Sequence, residues 1–425
     1  MASDSHPASS NLWQRSTAGL RVLHVIPSVA PRYGGPSQAV VEMCRALQSV
    51  GVEPLIATTD ADGPNRLPVP TGQVTDHQSV STVFFRRTAV ERFQYSGALA
   101  QWLRAHATEF DLVHIHAVFS HPCVTAAGSC RLRGVPYVVR PLGSLDPWSM
   151  RQRPLRKRLL WHLGVKQMLR SAAAIHYTTA AERSLAEKSI GLRRGVVIPL
   201  GVDGQLFEHD GAAQRFRQRY PVLGQAPYLL ALTRIHPKKG LDLLVRSFLQ
   251  VASAGPLARW RLVLAGDGDD TYVKELRRLA AGGGAGRRIL FTGWLAGDDK
   301  RGALQGADLF VLPSRQENFA LAVAEAMACG APVLVSPHVN LADDIRASGA
   351  GWVASPEGEE FRPVLLEALR DDGERRQRGA KGREFAAKSF GWPTIATQLV
   401  ELYDSVRTRS QELGIAVTPR REELS

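Results

Sequence analysis

Short apolar runs alternate with amphipathic stretches along almost the whole chain. Such runs are typical of buried parallel strands, and the amphipathic stretches are typical of the helices that connect them. The pattern predicts twelve strands, six in each half of the chain, with similar spacing. They cover residues 21–26, 54–58, 82–86, 112–116, 136–140 and 174–177, and then 228–233, 261–265, 288–292, 309–312, 332–335 and 351–353. The predicted fold class is α/β, with two doubly wound Rossmann-like domains that face a central cleft.

The same pattern predicts where each domain begins and ends. Residues 1–18 lack the basic start and apolar core of a signal peptide, so a flexible tail is expected. Residues 19–200 are the predicted N-terminal domain, which would bind the acceptor, and 201–390 the C-terminal domain, which would bind the donor. Apolar residues at helical spacing predict a terminal helix over 391–408 that crosses back to the N-terminal domain, and a charged tail follows over 409–425.

Composition narrows the class of protein. The chain has 425 residues, and no apolar run approaches the roughly 18 residues that a membrane span needs. Its four cysteines show no Cys-x-x-Cys spacing, so we expect small buried side chains in a reducing, cytoplasmic compartment. The net charge is +13. Much of the excess lies in residues 131–170, where ten Lys and Arg side chains accompany a single acid, Asp146.

Within this stretch, the segment Arg151–Arg170 interleaves basic side chains with leucine and tryptophan. The mixture is typical of a helix that lies on an anionic membrane surface. An ordinary buried helix with a solvated charged face is the alternative. Nucleic acid is not an expected partner, because the segment has neither Cys/His finger spacing nor the aromatic strands of RNA-binding sheets. The membrane interpretation predicts a protein peripheral to the inner face and a lipid-linked acceptor.

The segment after strand 309–312 carries two acids, Glu317 and Glu325, eight positions apart. A helix that began at Asn318 would present free amides that suit a diphosphate. Those amides belong to Asn318, Phe319, Ala320 and Leu321. Glu317 would then lie near the sugar and Glu325 about two turns further, near the ribose. The alternative is a helix cap and a solvated glutamate, which the apolar neighbours of Glu325 disfavour.

Two cations lie between the first predicted strand of the second domain and the helix that follows it. Arg234 follows strand 228–233, and Lys239 comes just before the helix that starts near Gly240. Such cations can neutralise a leaving diphosphate, so we expect a nucleotide-sugar donor and neither a metal nor another cofactor. The segment Asp267–Asp269 has the form of a metal-binding Asp-x-Asp, which is the alternative. Its Gly-rich turn favours aspartate as a cap of the following helix.

The first domain offers a glycine pair and a histidine pair. Gly34 and Gly35 precede an apolar helix and would let the backbone approach a donor across the cleft, although a plain turn is the alternative. His114 and His116 lie two positions apart, hence on one face of a strand. His116, at the carboxyl end, is expected to hydrogen-bond a sugar hydroxyl or the acceptor, with an ordinary core histidine as the alternative. A metal site of these residues with His121 is not expected, because His114 should point into the domain.

Together these motifs resemble family four of the retaining glycosyltransferases, the glycosyltransferases group 1. The resemblance extends from about Arg21 to Tyr403. It rests on the Glu-x7-Glu of Glu317 and Glu325, the Arg-x4-Lys-Gly of Arg234, Lys239 and Gly240, the linker Ile198–Asp203, and Gly34–Val40. The resemblance implies the GT-B architecture. It also implies that Arg234 and Lys239 bind the diphosphate, Glu317 the transferred sugar, Glu325 the ribose, and that His116 lies beside the donor sugar.

The expected function is retaining transfer of a hexose from a UDP- or GDP-linked sugar to a glycan or lipid-linked acceptor, in polysaccharide or glycolipid biosynthesis. Because no carboxylate in the N-terminal half suggests a nucleophile, a metal-independent front-face displacement is favoured over a covalent intermediate. Asn318 and Ala320 stand where relatives usually carry Gly, and Leu200 where they carry Asn, which predicts altered sugar contacts and retained activity. A nucleotide-sugar epimerase of the same fold and a catalytically silent, membrane-associated binding protein are the alternatives.

Overall fold

The computed structural model describes residues 19–89, 93–152, 154–253, 255–284 and 286–412. The predicted tail 1–18 therefore lies outside the described residues, and so does the predicted charged tail from residue 413 onward. Residues 409–412 continue the last helix instead of starting a tail.

The first sheet has eight strands in the order β10-β9-β8-β7-β1-β2-β6-β5. All neighbouring strands are parallel except β5 and β6, which are antiparallel. Its strands are β1 (Leu20–Ser28), β2 (Val52–Thr59), β5 (Val74–His77), β6 (Val80–Phe85), β7 (Leu112–His116), β8 (Tyr137–Arg140), β9 (Ala174–Tyr177) and β10 (Gly195–Val197). A separate antiparallel pair consists of β3 (Ala61–Asp62) and β4 (Asn65–Arg66).

The second sheet has six parallel strands in the order β13-β12-β11-β14-β15-β16. They are β11 (Tyr228–Leu232), β12 (Arg261–Ala265), β13 (Ile289–Gly293), β14 (Leu309–Leu312), β15 (Val333–Val335) and β16 (Gly351–Val353). All twelve strands that the apolar pattern predicts are present. In the two sheets, the pattern misses β5 and β10, which are short, partly exposed edge strands.

Helices cover both faces of the two sheets. The first domain contains α1 (Gly35–Ser49), α2 (Gly97–His106), α3 (His121–Arg133), α4 (Pro147–Arg151), α5 (Pro154–Leu160), α6 (Lys166–Ser171) and α7 (Ala180–Ile190). A π-helical turn, Trp161–Val165, joins α5 to α6. The second contains α8 (Ala212–Arg219), α9 (Leu241–Val251), α10 (Asp270–Ala281), α11 (Gly297–Gln305), α12 (Leu321–Ala328), α13 (Ala342–Ser348), α14 (Phe361–Arg370) and α15 (Asp372–Ser389).

The last helix, α16 (Trp392–Glu412), packs on the first domain. Its Tyr403 hydroxyl lies 2.8 Å from Nδ1 of His114, and Trp392 donates from its indole nitrogen to Glu42 of α1 at 3.2 Å. The buried side chains of Leu399 and Tyr403 belong to the same apolar cluster as Val22 of β1. The chain therefore returns to the first domain after the second is complete.

Strand order reverses at one place in each sheet. β1 has β2 on one side and β7 on the other, and β11 has β12 on one side and β14 on the other. In doubly wound sheets, ligands bind outside the carboxyl ends of the strands at such switch points. The segments that follow β1, β11 and β14 are therefore the ones to examine for a site.

None of the helices among the described residues combines the length and the apolar character that crossing a bilayer requires. All four cysteines, Cys44, Cys123, Cys130 and Cys329, are buried and unpaired. Burial raises the pKa of each thiol. They therefore behave as small apolar side chains, as their sequence context predicts.

Candidate functional site

A cavity of about 340 Å³ lies between the two domains at both switch points. Ten of the eleven residues that the sequence singles out for a site line it, and His116 is the exception. Those ten are Gly34, Gly35, Arg234, Lys239, Glu317, Asn318, Phe319, Ala320, Leu321 and Glu325. The cavity therefore unites segments that are nearly 300 positions apart in the sequence.

The loop between β14 and α12, Pro313–Ala320, carries the first of the two glutamates. We call it the donor loop. Backbone hydrogen bonds fix Glu317, whose amide donates to the carbonyl of His338 at 2.9 Å and whose carbonyl accepts from the amide of Asn340 at 3.1 Å. The adjacent parallel bridge to Val339 gives this part of the loop a strand-like partner. The carboxylate therefore projects from a fixed backbone.

The prediction that Asn318 begins a helix is wrong. The helix starts at Leu321, and Ala320 is its N-cap with left-handed backbone angles, φ 56° and ψ 61°. Phe319 packs its ring on Phe390 in the core instead of contributing to a helix end. The amides of Leu321 and Ala322 are therefore free, because no carbonyl one turn earlier in the helix can accept from them. The helix starts three residues later than predicted.

Lys239 and Glu317 form an ion pair at the cavity wall. Gly240, at φ 66°, places Lys239 close to the donor loop, because a Cβ at this position would lie 2.2 Å from the carbonyl oxygen of Pro313. Arg234 lines the same cavity and is exposed. Among the described residues it forms no ion pair within 4 Å. Of these two cations, Lys239 is already paired with an acid and Arg234 is available for an anionic ligand.

Glu325 forms the second ion pair of the cavity, with Lys300 of α11 at 2.6 Å. Burial opposes the charge of Lys300, but the carboxylate of Glu325 outweighs it and the pKa of Lys300 is raised. Glu42 of α1 approaches the same pair, and burial, reinforced by Glu325, raises its pKa. A carboxylate with two oxygens and one cation partner retains acceptor capacity for ligand hydroxyls.

The glycine pair of the first domain lies across the cavity from the start of α12. Gly34 has φ 79°, a left-handed value that glycine adopts without strain. A Cβ on Gly35 would lie 3.7 Å from the side chain of Leu321. The two domains therefore approach each other closely where a diphosphate at the start of α12 would lie.

His116 does not reach the cavity, contrary to the sequence expectation. Its side chain is 0% exposed and stacks on His24, with 3.0 Å between Nδ1 of His24 and Nε2 of His116. Burial first, and then the neighbouring His114, lowers its pKa well below the usual value. The reason is strand geometry, because His114 and His116 share the face of β7 that α16 covers.

His116 belongs to a buried polar layer between the first sheet and α16, which we call the histidine layer. It consists of His24, His114, His116, His176 and Arg140, all 0% exposed. His176 donates from Nε2 to the carbonyl of Ile198 at 2.8 Å, which leaves its Nδ1 to accept from Nε2 of His114 at 3.3 Å. Among the described residues the guanidinium of Arg140 has no hydrogen-bond partner, and burial lowers its pKa to about 10.

Three histidines of the histidine layer have the composition of a metal site. In the described part of the chain, His24, His114 and His116 bring one ring nitrogen each within 4.8 Å of one another. A cation there would meet the positive charge of Arg140, which acts on all three rings. His121 lies elsewhere, on α3, beside Ser96 and Thr125.

The Asp-x-Asp segment has a structural role. Asp269 is the N-cap of α10 and accepts a hydrogen bond from the amide of Tyr272 at 3.1 Å. Asp267 accepts from the amide of Gly268 at 2.8 Å, and Gly268 forms a bridge with Ile235. Capping is the role that the Gly-rich turn favours, so the donor-site cations remain the candidate partners of a diphosphate.

Several cavity residues were missed by the sequence reasoning. Thr178 and Gly143 line the cavity from the first domain, and Lys238, Lys300 and Gln316 from the second. Lys300 follows two acids at the start of α11, so a cation at a helix start was a usable signal. Thr178 and Gly143 are ordinary loop residues in sequence, and only the fold brings them to the cleft.

Two facing, mainly parallel sheets with the cleft at their switch points are the GT-B architecture. The solved structures that the chain resembles are of this type. HepE of Anabaena, in complex with UDP and glucose, has a TM-score of 0.72 at 21% identity and covers 91% of this chain and 100% of its own. The sucrose-phosphate synthase of Thermosynechococcus elongatus has a TM-score of 0.73 at 22% identity and covers 92% and 100%.

The chain belongs to the group 1 glycosyltransferases. "Glycosyl transferase 4-like domain" matches residues 34–201 and "Glycosyl transferases group 1" matches residues 226–371. It is 27% identical to the D-inositol 3-phosphate glycosyltransferase of Thermomonospora curvata over 410 residues, which are 91% of this chain and 94% of the relative. A phosphatidylinositol monomannoside mannosyltransferase of Mycobacterium tuberculosis is 27% identical over 310 residues, 70% and 77% of the two chains. The protein is a hexosyltransferase that uses a nucleotide sugar.

Proposed function

We propose that the protein transfers a hexose, with retention of anomeric configuration, from a nucleoside diphosphate sugar to a glycan or lipid-linked acceptor. The observation that carries this proposal is the pair of ion-paired glutamates, Glu317 and Glu325, in one cavity with Arg234. A nucleotide sugar presents sugar hydroxyls at one end, ribose hydroxyls at the other and a dianion between them. The cavity offers acids for both ends and cations between them.

The diphosphate binds between Arg234, Lys239 and the amides at the start of α12. Fixed cations and helix amides stabilise the charge that develops on the leaving diphosphate, which is usually the largest electrostatic contribution to such a transfer. Glu317, paired with Lys239, binds hydroxyls of the transferred sugar. Glu325 binds the ribose hydroxyls.

The chemical step is a front-face displacement. The bond from the anomeric carbon to the phosphate oxygen breaks as the acceptor oxygen bonds to the same face, and the departing phosphate oxygen takes the acceptor proton. A covalent route needs a carboxylate near the anomeric carbon. Among the described cavity residues of the first domain, which are Tyr33, Gly34, Gly35, Pro36, Leu142, Gly143, Ser149, Thr178 and Leu200, none carries one. Their chemistry favours the front-face route.

Melting temperatures with UDP, GDP and ADP test the donor class, because a ligand at 100 times its Kd stabilises by about 2.7 kcal/mol. UDP-glucose and GDP-mannose then serve as donors, with release of free nucleoside diphosphate as the readout. Release of nucleoside diphosphate without a new glycoside indicates that the assay lacks the correct acceptor. An unchanged melting temperature with every nucleotide contradicts the proposal. An epimerase would convert the donor without releasing nucleotide, and a silent binding protein would do neither.

Two further measurements test stereochemistry and metal independence. Nuclear magnetic resonance of the product should show the anomeric configuration of the donor. Activity should persist in excess chelator, because Arg234 and Lys239 supply the charge that a metal otherwise provides. Complete loss in chelator with recovery on adding Mg²⁺ would reject metal independence and return attention to Asp267 and Asp269.

We propose that the basic segment Arg151–Arg170 lies on an anionic membrane surface at the cytoplasmic face, with Arg153 outside the described residues. No residue of α5 is buried, which disfavours an ordinary core helix. Leu155 and Leu159 are 84% and 59% exposed, and their four-residue spacing in α5 places them on one helical face. Leu163, in the π-helical turn that follows, is 70% exposed. Exposed leucines beside Arg158 suit the boundary of a lipid headgroup layer. A lipid-linked acceptor agrees with the name of the mycobacterial relative, a phosphatidylinositol mannoside transferase.

Co-sedimentation with vesicles that contain anionic lipid tests this surface. Replacing Leu155, Leu159 and Leu163 with Gln should weaken binding at every salt concentration. Replacing Arg151 and Arg158 with Gln should weaken it mainly at low salt, because screening limits charge attraction to about 8 Å at physiological ionic strength. Leu132→Gln is the matched control, since Leu132 is 80% exposed on α3 outside the segment. Equal sedimentation of all variants would refute the membrane surface.

A further inference from the structure

The two residues beside Glu317 both reach across the cleft to the first domain. Gln316 donates from Nε2 to Oδ2 of Asp146 at 2.8 Å. Asn318 donates from Nδ2 to Oγ1 of Thr178 at 3.1 Å. The candidate sugar-binding carboxylate therefore sits between two hydrogen bonds that join the donor loop to the other domain.

The acceptors of these hydrogen bonds are fixed within the first domain. Asp146 caps α4 and accepts from the amide of Ser149 at 2.6 Å. Thr178 donates its hydroxyl to Oε2 of Glu182 at 2.7 Å, which leaves the hydroxyl oxygen free to accept from Asn318. Both Asp146 and Thr178 are buried. Each cross-cleft hydrogen bond thus ends on a group that cannot easily reorient.

The donor-loop side is equally specified. The Oδ1 atom of Asn318 accepts from the side-chain Nδ2 of Asn340 at 3.4 Å, which determines the direction of the Nδ2 of Asn318. The Oε1 atom of Gln316 accepts from the ammonium of Lys238 at 3.1 Å, and that ammonium lies over the ring of Trp148 at 5.4 Å. Burial lowers the pKa of Lys238. Both amides therefore have partners at each end.

The backbone of the first domain comes close to Asn318 and leaves that side chain little room to move. Gly143 has φ 70°, and a Cβ there would lie 2.9 Å from Cβ and Cγ of Asn318. Gly143 also donates its amide to Oε1 of Glu182 at 2.7 Å. The first domain thus meets Asn318 with a close backbone contact as well as with Thr178.

We propose that Gln316 and Asn318 are positioning residues that place Glu317 for catalysis only when the two domains are closed. This inference rests on the proposed function, in which Glu317 binds the transferred sugar. The cross-cleft hydrogen bonds exist only between closed domains, whereas the pair of Glu325 and Lys300 lies within the second domain alone. Loss of these hydrogen bonds therefore lowers turnover and leaves the affinity for free nucleoside diphosphate unchanged.

A double-mutant cycle tests the proposal in the full chain. Asn318→Ala and Thr178→Val should each lower kcat about tenfold, and the double variant should lose little more, because both remove one shared hydrogen bond. Thr178→Ser keeps the hydroxyl and should restore turnover. Arg315→Gln is the matched control, since Arg315 is an exposed side chain of the same loop. UDP or GDP, whichever the parent binds, is the probe for affinity.

Three outcomes would overturn the positioning role. The first is a kcat loss in the double variant equal to the product of the two single losses. The second is failure of Thr178→Ser to restore turnover, and the third is a loss of nucleotide affinity in the same variants that lose turnover. Small-angle scattering gives an independent readout, because Asn318→Ala combined with Gln316→Met should enlarge the radius of gyration, and an unchanged radius contradicts closure by these residues. If the parent binds no nucleotide, the proposed function fails while the scattering result still decides whether the hydrogen bonds close the cleft.

Discussion

The donor site and the histidine layer handle charge in opposite ways. At the donor site, Lys239 pairs with Glu317 and Lys300 with Glu325, so each carboxylate lies beside a cation at the edge of a cavity. In the histidine layer, four imidazoles surround Arg140 with no carboxylate in hydrogen-bond contact among the described residues. Burial is the largest cause of the lowered pKa of every one of these imidazoles.

The difference teaches which polar groups are available for chemistry. Groups that keep their charge through pairing can exchange their partner for a ligand at small cost, because the ligand replaces one interaction by another. Groups that are buried in neutral form destabilise the folded protein if they become charged or exposed. His116 is therefore a buried group of the first domain, and we propose that the chemistry lies with the paired groups of the second.

The largest expected effect is acid unfolding that starts in the histidine layer. Burial lowers the pKa of His24 to about 3 and that of His176 to about 3, whereas an unfolded histidine titrates near 6.5. Below pH 6.5 the unfolded chain binds protons that the folded chain refuses, so stability is present above 6.5 and is lost as pH falls. The loss is up to about 1.4 kcal/mol per pH unit for each neutral histidine.

Denaturant unfolding at pH 7.5, 6.5 and 5.5 measures this loss above the range where most carboxylates titrate. His24→Gln should flatten the dependence by about one proton, and His106→Gln, at a half-buried position outside the layer, should not. A midpoint that stays constant between pH 7.5 and 5.5 would show that the layer accepts protons without cost.

Next in size is the loss of turnover on replacing Glu317. Glu317→Ala should reduce kcat about 100- to 1000-fold, the range found when one preorganised polar partner of a transition state is removed. The affinity for free nucleoside diphosphate should stay within about twofold, because that ligand lacks the transferred hexose that Glu317 is proposed to bind. Calorimetric titration together with initial rates measures both. A matching loss of nucleotide affinity would contradict the assignment of Glu317 to the sugar.

The fold and the donor motifs could be predicted from the sequence because their signals are local. Apolar runs predicted twelve of the fourteen strands of the two sheets. Glu317, Arg234 and Lys239 lie beside a predictable element, and Glu325 lies within one. The start of α12 could not be predicted, because Ala320 takes a left-handed backbone that its residue type disfavours. Its preceding residues, which fit a helix by type, form a loop bound to His338 and Asn340.

The error at His116 has a different cause. Alternation along β7 correctly places His114 and His116 on one face, but it does not tell which helix covers that face. The covering residue for His114 is Tyr403, 289 positions away, and Thr178 likewise meets Asn318 from 140 positions away. Contacts of this range are properties of the assembled domains, and a single sequence carries no local signal for them.

A smaller effect should follow Glu325→Ala. Removing a charged hydrogen-bond partner of the ribose should raise the Kd for nucleoside diphosphate about 10- to 100-fold. Lys300 then keeps its charge without its 2.6 Å partner, so the melting temperature should fall as well. Comparison with Glu317→Ala sharpens the contrast within the donor site. Unchanged nucleotide affinity would mean that Glu325 serves only its ion pair with Lys300.

Tyr403→Phe tests the histidine layer by removing a single oxygen atom. The change removes the hydroxyl that lies 2.8 Å from Nδ1 of His114 and leaves that buried nitrogen without a donor, which should cost about 1–2 kcal/mol of unfolding free energy. Nucleotide affinity and kcat should not change, because the histidine layer lies outside the cavity. A loss of nucleotide affinity at constant stability would show that the layer communicates with the donor site.

The smallest effect concerns Ala320, the left-handed cap at the start of α12. Ala320→Gly relieves about 1–2 kcal/mol of backbone strain but loses a buried methyl group, about 0.8 kcal/mol, and adds about 0.4–1 kcal/mol of unfolded-state entropy. The net change should therefore be close to zero. Ala322→Gly, two residues later inside the helix, relieves no strain and should cost about 1 kcal/mol. Denaturant midpoints of both variants measure the contrast. Equal destabilisation would mean that position 320 carries no relievable strain, and the tolerance of alanine where relatives carry glycine would then need a cause other than the backbone.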